Sequence, residues 1–234
     1  MSFDRRRQYQ EWAATTDVFM ASGTPLVGLA MQDLKMAAQQ AAQAKRAGRS
    51  RPFSAPRALS GALLLFASTE SWLNGQLALL HFQRESVPRD VFEKRRKLIH
   101  QGKLWEKAQA LPEFAGGRRL PFEAVADLKL ATISVRHEIT HDLPASNKRS
   151  DEDRLAALAS GGLTIETPTD ADVTFTIHER LASFDLLYWC WKTVDEVIEE
   201  IFAADTNGEI LDANRINFQA YQRYPSPEQL ESSA

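Results

Sequence analysis

Apolar residues recur at three- and four-residue steps through most of this chain, the period of an α-helix, and at two-residue steps over one short region only. The strongest helical pattern runs over 58–82, where Leu63, Phe66, Leu73, Leu77 and Leu80 form a stripe. This segment is predicted to be a central helix. A second pattern spans 122–141 through Phe122, Val125, Leu128, Ala131 or Thr132, Val135 and Ile139, and Pro144 stops it. A third covers 180–203, with Leu181, Phe184, Leu187, Trp191, Val194, Ile198 and Ile201 on one side and Asn207-Gly208 as its end.

Weaker patterns fill in the rest. Residues 4–20 predict a short helix, Gly23-Thr24-Pro25 a break, and the Ala-, Gln- and Lys-rich 26–47 a helix stopped by Gly48. A basic connector occupies 49–56. Pro88 opens a helical region reaching Leu111 with a break at Gly102, and 113–121 reads as a loop. Residues 145–161 are polar, with a short helix expected over 151–159. Leu163–Thr167 and Val173–Ile177 alternate and are β-branched, which predicts a hairpin over 163–177. In the tail, Ile210, Leu211, Phe218 and Tyr221 are expected to dock, and the part from Pro225 to be disordered. The pattern therefore predicts an all-α protein with one small inserted hairpin. It divides into 1–56 (N-terminal helices and connector), 57–204 (the bundle, with an insertion at 145–178) and 205–234 (the tail).

Composition changes this picture little, whereas charge changes it more. At 234 residues the chain can bury an ordinary core. Its one cysteine, Cys190, lies in the apolar run 186–191 and is expected to be a core thiol in a reducing, cytoplasmic setting. No apolar segment follows the charged N-terminus as a signal peptide would require, and the longest apolar run, 62–67, is too short to cross a bilayer. The net charge of −3 conceals an asymmetry. Residues 1–119 hold 19 basic and 10 acidic side chains, and residues 120–234 hold 9 and 21. The net figure thus leaves room for a basic face and a polyanionic partner.

The candidate chemistry gathers at the end of the second pattern, in Arg136-His137-Glu138-Ile139-Thr140-His141. From His137 the letters read H-E-x-x-H, with His137 and His141 one turn apart as a zinc hydrolase requires and Glu138 as its base. That reading lacks a third ligand, because no Gly-x-x-His follows and Glu166 falls in the predicted hairpin. From Arg136 the letters give an arginine, a polar residue and a histidine, a set suited to a phosphodiester. Arg136 and His141 lie about 140° apart on an ideal helix, a separation that facing helices of a two-fold dimer would overcome. The same letters also suit a plain helix end, with Arg136 on the last carbonyls and His141 where a cation is favoured. Glu70 and Asn74 add a carboxylate and an amide, one turn apart, inside the apolar helix 58–82. Such groups need partners.

The R-x4-H string with a polar residue after the arginine, at the end of a helix and followed by an insertion and an amphipathic helix, resembles the HEPN (higher eukaryote and prokaryote nucleotide-binding) domains. The helix carrying Glu70 and Asn74 is similar to that family's helix with an acidic and an amide residue. The similarity covers roughly residues 57–204, and only the motif is specific. It implies an up-down helical bundle that dimerises through the motif helix, and a metal-independent endoribonuclease of toxin, antiviral-defence or stress systems, with an antitoxin or sensor as partner. In that case Arg136 and His141 are catalytic, His137, Glu70 and Asn74 support them, and no cofactor is needed. Some members of the family bind RNA without cleaving it. Leu143 stands where one antitoxin-modified branch has tyrosine, which sets this chain apart from that branch.

Overall fold

A computed structural model describes residues 5–83, 89–136, 148–165, 177–211 and 215–233. In chain order the α-helices are α1 (Arg5–Arg46), α2 (Arg57–Gln83), α3 (Arg89–Gln101), α4 (Leu104–Phe114), α5 (Ala126–Ala131), α6 (Lys148–Ser160), α7 (Ile177–Leu181), α8 (Phe184–Ala204), α9 (Arg215–Phe218) and α10 (Pro227–Ser232). Among the described residues the only β pairing is an isolated bridge between Ser54 and Ser183, so they form the expected all-α class. The hairpin expected at 163–177 falls mainly on residues outside the described set; of its ends, 163–165 has no regular structure and Ile177 opens α7. No described helix is long and apolar enough to cross a membrane.

The centre is α2, as its stripe predicts. Phe66, Leu73, Leu77 and Leu80 are buried, whereas Leu63 is half-buried and Leu65 is buried instead, and α1, α4 and α8 pack around them. Each such side chain contributes roughly 1.5–3 kcal/mol through burial. At Gly61 a Cβ would stand 2.9 Å from Leu187 Cδ2 and 3.1 Å from the Cβ of Asp33, so glycine is what lets α1, α2 and α8 meet. The stripe of α8 is buried along its whole length, from Leu181 just before it to Ile201. Cys190 on this helix is fully buried and burial pushes its thiol pKa up, in keeping with a core thiol.

Three segments differ from the sequence pattern. First, α1 is one helix that runs through Pro25 instead of two helices. A proline inside a helix costs about 3 kcal/mol. Beyond it, Val27, Ala30, Leu34, Ala37 and Ala41 are buried along α2, and that packing offsets the lost hydrogen bond. Second, α8 starts at Phe184 rather than Arg180, because Ser183 caps it by accepting the Leu186 N–H at 3.1 Å. The Phe184 N–H, in turn, donates to Phe53 O at 2.9 Å. Third, the tail beyond Pro225 is ordered. Ser226 and Gln229 cap α10 reciprocally, Pro227 opens it, and Leu230 and Pro227 are buried. Ile210, Phe218 and Tyr221 dock as expected, while Leu211 is exposed.

Arg51 ties this tail to the body. Its Nε donates to Asp185 Oδ1 at 2.7 Å, its Nη2 lies 3.0 Å from Thr164 Oγ1 and 3.2 Å from Glu228 Oε1, and its Nη1 is 3.5 Å from Glu231 Oε2. Asp185 is almost wholly buried, and its second oxygen accepts the Phe53 N–H at 3.0 Å. Lys45 at the end of α1 also donates to Glu231 O.

Candidate functional site

The segment leading to the motif is less regular than its spacing predicts. In place of one helix from Phe122, a 3-10 turn at Glu123–Val125 leads into α5 and then into a π turn, Thr132–Arg136. The apolar positions Val125, Leu128, Ala131 and Val135 are buried as expected, but Phe122 is exposed. A π turn bonds i to i+5 and so inserts one residue into the helical repeat; such turns often occur at functional sites. In this wider turn Ser134 and Val135 both lie inward. At its start the Thr132 hydroxyl donates back to Leu128 O at 2.7 Å. The turn packs against α2 and ends on Arg136.

There Arg136 meets one of the residues expected near it. Its Nη1 donates to Glu70 Oε2 at 2.7 Å, while Lys107 Nζ on α4 donates to Glu70 Oε1 at 2.9 Å. The carboxylate on the central helix thus has a cation on each oxygen. Lys107 is only 3% exposed at its side chain, whereas Arg136 is 37% exposed and reaches the surface. Burial works against the charged form of Glu70, but Lys107 and then Arg136 outweigh it and hold its carboxyl below the usual glutamate range. Asn74 follows one turn along α2, and its buried Oδ1 has no hydrogen-bond partner among the described residues.

Among the described contacts Glu70 meets two cations, and the one that reaches the surface is a guanidinium. A guanidinium presents its donors in the planar fork that matches a phosphate. Lys107 was not singled out by its sequence, yet a signal was present. It falls on the buried stripe Leu104, Ala108 and Leu111 of α4, just as Glu70 interrupts the buried stripe of α2. Opposite charges on two inward stripes imply each other, since neither is found buried alone.

His137, Glu138 and His141 lie outside the described residues. Among the described residues no three His, Cys, Asp or Glu side chains gather as metal ligands do. No protein-family model, curated protein or solved structure matches the chain, so its function is argued from the site.

Proposed function

We propose that the chain is a metal-independent endoribonuclease of the HEPN type, with Arg136 and His141 as catalytic residues at a dimer cleft. The observation that carries the reading is the Glu70–Lys107–Arg136 cluster: a surface guanidinium held by a half-buried carboxylate that a buried lysine also holds, at the start of an R-x4-H string. In this mechanism the RNA 2′-OH attacks the adjacent phosphorus. The new O–P bond closes a 2′,3′-cyclic phosphate as the bond to the 5′ oxygen breaks. His141 takes the proton from the 2′-OH or supplies one to the leaving 5′ oxygen, which an imidazole titrating near neutrality does well. Arg136 balances the charge that builds on the phosphate oxygens. Glu70 holds the guanidinium in place, and Lys107 fixes Glu70. His137 orients the phosphate, and Asn74 supports the helix face beside Glu70.

The test is labelled RNA incubated in EDTA with the wild type, Arg136→Ala and His141→Ala. Cleavage that survives chelation and falls at least a hundredfold in both variants supports the proposal. Cleavage lost on chelation, with one zinc per chain, moves the assignment to a hydrolase using His137 and His141. Binding without cleavage leaves a non-catalytic RNA-binding module.

A further inference from the structure

We propose that the outer face of α5 and of the turn before it is a strand-holding subsite, in which Phe122 stacks an unpaired base and Lys129 and Lys103 hold the flanking phosphates. It rests on the ribonuclease reading for its ligand and on its own geometry for its place.

Lys129 Nζ stands 4.9 Å from the centroid of the Phe122 ring and 6.0 Å from that of Trp105, and Lys103 Nζ stands 5.2 Å from the Trp105 centroid. Trp105 is only 9% exposed, so it cannot take a base itself. It is a fixed wall whose π face attracts both ammonium groups and limits where two flexible side chains can go. Neither ammonium is paired with a carboxylate among the described residues. The Glu106 carboxylate accepts the Lys103 backbone N–H at 2.9 Å.

Phe122 is the reverse of Trp105. It is 48% exposed, with Lys129 against its ring and the rest open to water. An exposed aromatic ring with one cation against it and a second on the neighbouring Trp105 is a combination a single strand fits, because any base can stack on the ring while the phosphates meet the lysines. A fully paired duplex offers no free base face. Ile133, one turn beyond Lys129, is 40% exposed and continues the apolar line. Arg136 lies seven positions after Lys129 in the same chain segment, which puts the guanidinium within a few nucleotides' length of the subsite.

The experiment measures fluorescence anisotropy of a labelled oligoadenylate in EDTA, with Arg136→Ala as the parent so that the strand stays intact. Phe122→Ala and Lys129→Gln each weaken binding about tenfold, and Phe122→Tyr stays within about twofold. Lys129→Gln also lowers the slope of log affinity against log salt by about one. The same strand in a duplex binds at least about tenfold more weakly. Melting curves matching the parent establish that each variant is folded. No binding by the parent, unchanged affinity in Phe122→Ala, or equal affinity for duplex and single strand overturns the subsite. Cleavage by the otherwise wild-type Phe122→Ala with an unchanged KM defeats the subsite and leaves the ribonuclease standing. The expected losses of binding, without cleavage by the wild type, do the opposite.

Discussion

Two clusters in this molecule each place an arginine 2.7 Å from a carboxylate on a major helix, and they differ in what surrounds the pair. At Arg51 the carboxylate is Asp185, almost wholly buried, and Glu228 and Glu231 add two more negative charges. One cation faces three anions, and its donors are spent on joining segments of the fold. At Arg136 the proportions are inverted, with two cations on Glu70 and the arginine more than a third exposed. An arginine surrounded by acids has no electrostatic reason to bind another anion. The Arg136 guanidinium instead shares its carboxylate with a buried lysine and reaches the surface. The distance is the same in both pairs, so exposure and the second cation on the carboxylate are what separate a joint from a candidate site.

The largest expected effects are on stability. Asp185→Ala strands the buried Phe53 N–H and leaves Arg51 without its nearest partner, at a cost of about 4 kcal/mol. Glu70→Ala leaves Lys107 buried without its counter-charge, which costs about 3 kcal/mol, toward the lower end because Glu70 is a quarter exposed. Denaturant titration measures both. Below the melting temperature, Asp185→Ala retains cleavage per folded molecule and Glu70→Ala loses it. If the two lose activity alike, the contrast between joint and site is broken.

Acid should expose two windows in a plot of melting temperature against pH. Burial, with Arg95 and Arg96 behind it, holds His81 at about 4 against an ordinary 6.5. The unfolded chain therefore binds more protons between those values, and stability falls as pH drops through them. His81→Leu flattens that part of the curve. Glu70 is shifted below its ordinary 4.5, so its contribution is complete above that value and is lost as pH falls through the lower folded value. Glu70→Gln removes this steeper acid limb and leaves the His81 window intact.

The smallest expected effect is that of Lys107→Met. It removes a buried charge while Glu70 keeps Arg136, so stability changes by about 1.5 kcal/mol or less. Its readout is instead the acid limb, which moves toward ordinary glutamate values. A loss near that of Glu70→Ala would show that Lys107 and not Arg136 carries the cluster.

The helices that are legible in the sequence are those whose burial is continuous. The stripes of α2 and α8 are legible in outline because most of their inward positions are apolar, although Leu63 is half-buried and Leu65 faces the core in its place. Pro25 misled because local chemistry predicts a break, and only the packing of Val27 to Ala41 against α2 outweighs it. The tail misled because a short capped helix is marginal alone and is held by Arg51 and Lys45, about 180 residues away. At the candidate site, Glu70 and Arg136 could be named as chemistry but not as a pair, since 66 positions separate them and a π turn sets the final angle. Lys107 was legible in principle as a charge on an apolar stripe, but only alongside the opposite charge on another.

The Arg51 joint also sets a schedule for synthesis. Its partner Glu231 is made 180 residues later, and at ordinary rates of translation that is a wait of roughly ten to forty seconds. During that interval α1 and α2 can pair, but the Arg51 guanidinium has only water around it until Asp185 emerges, and the groove for α10 is unfilled. Asp185 is made 134 residues after Arg51 and α8 continues from it, so for most of that interval α2 lacks α8 as well as the clasp, which is when a chaperone or a protease would meet the open helices.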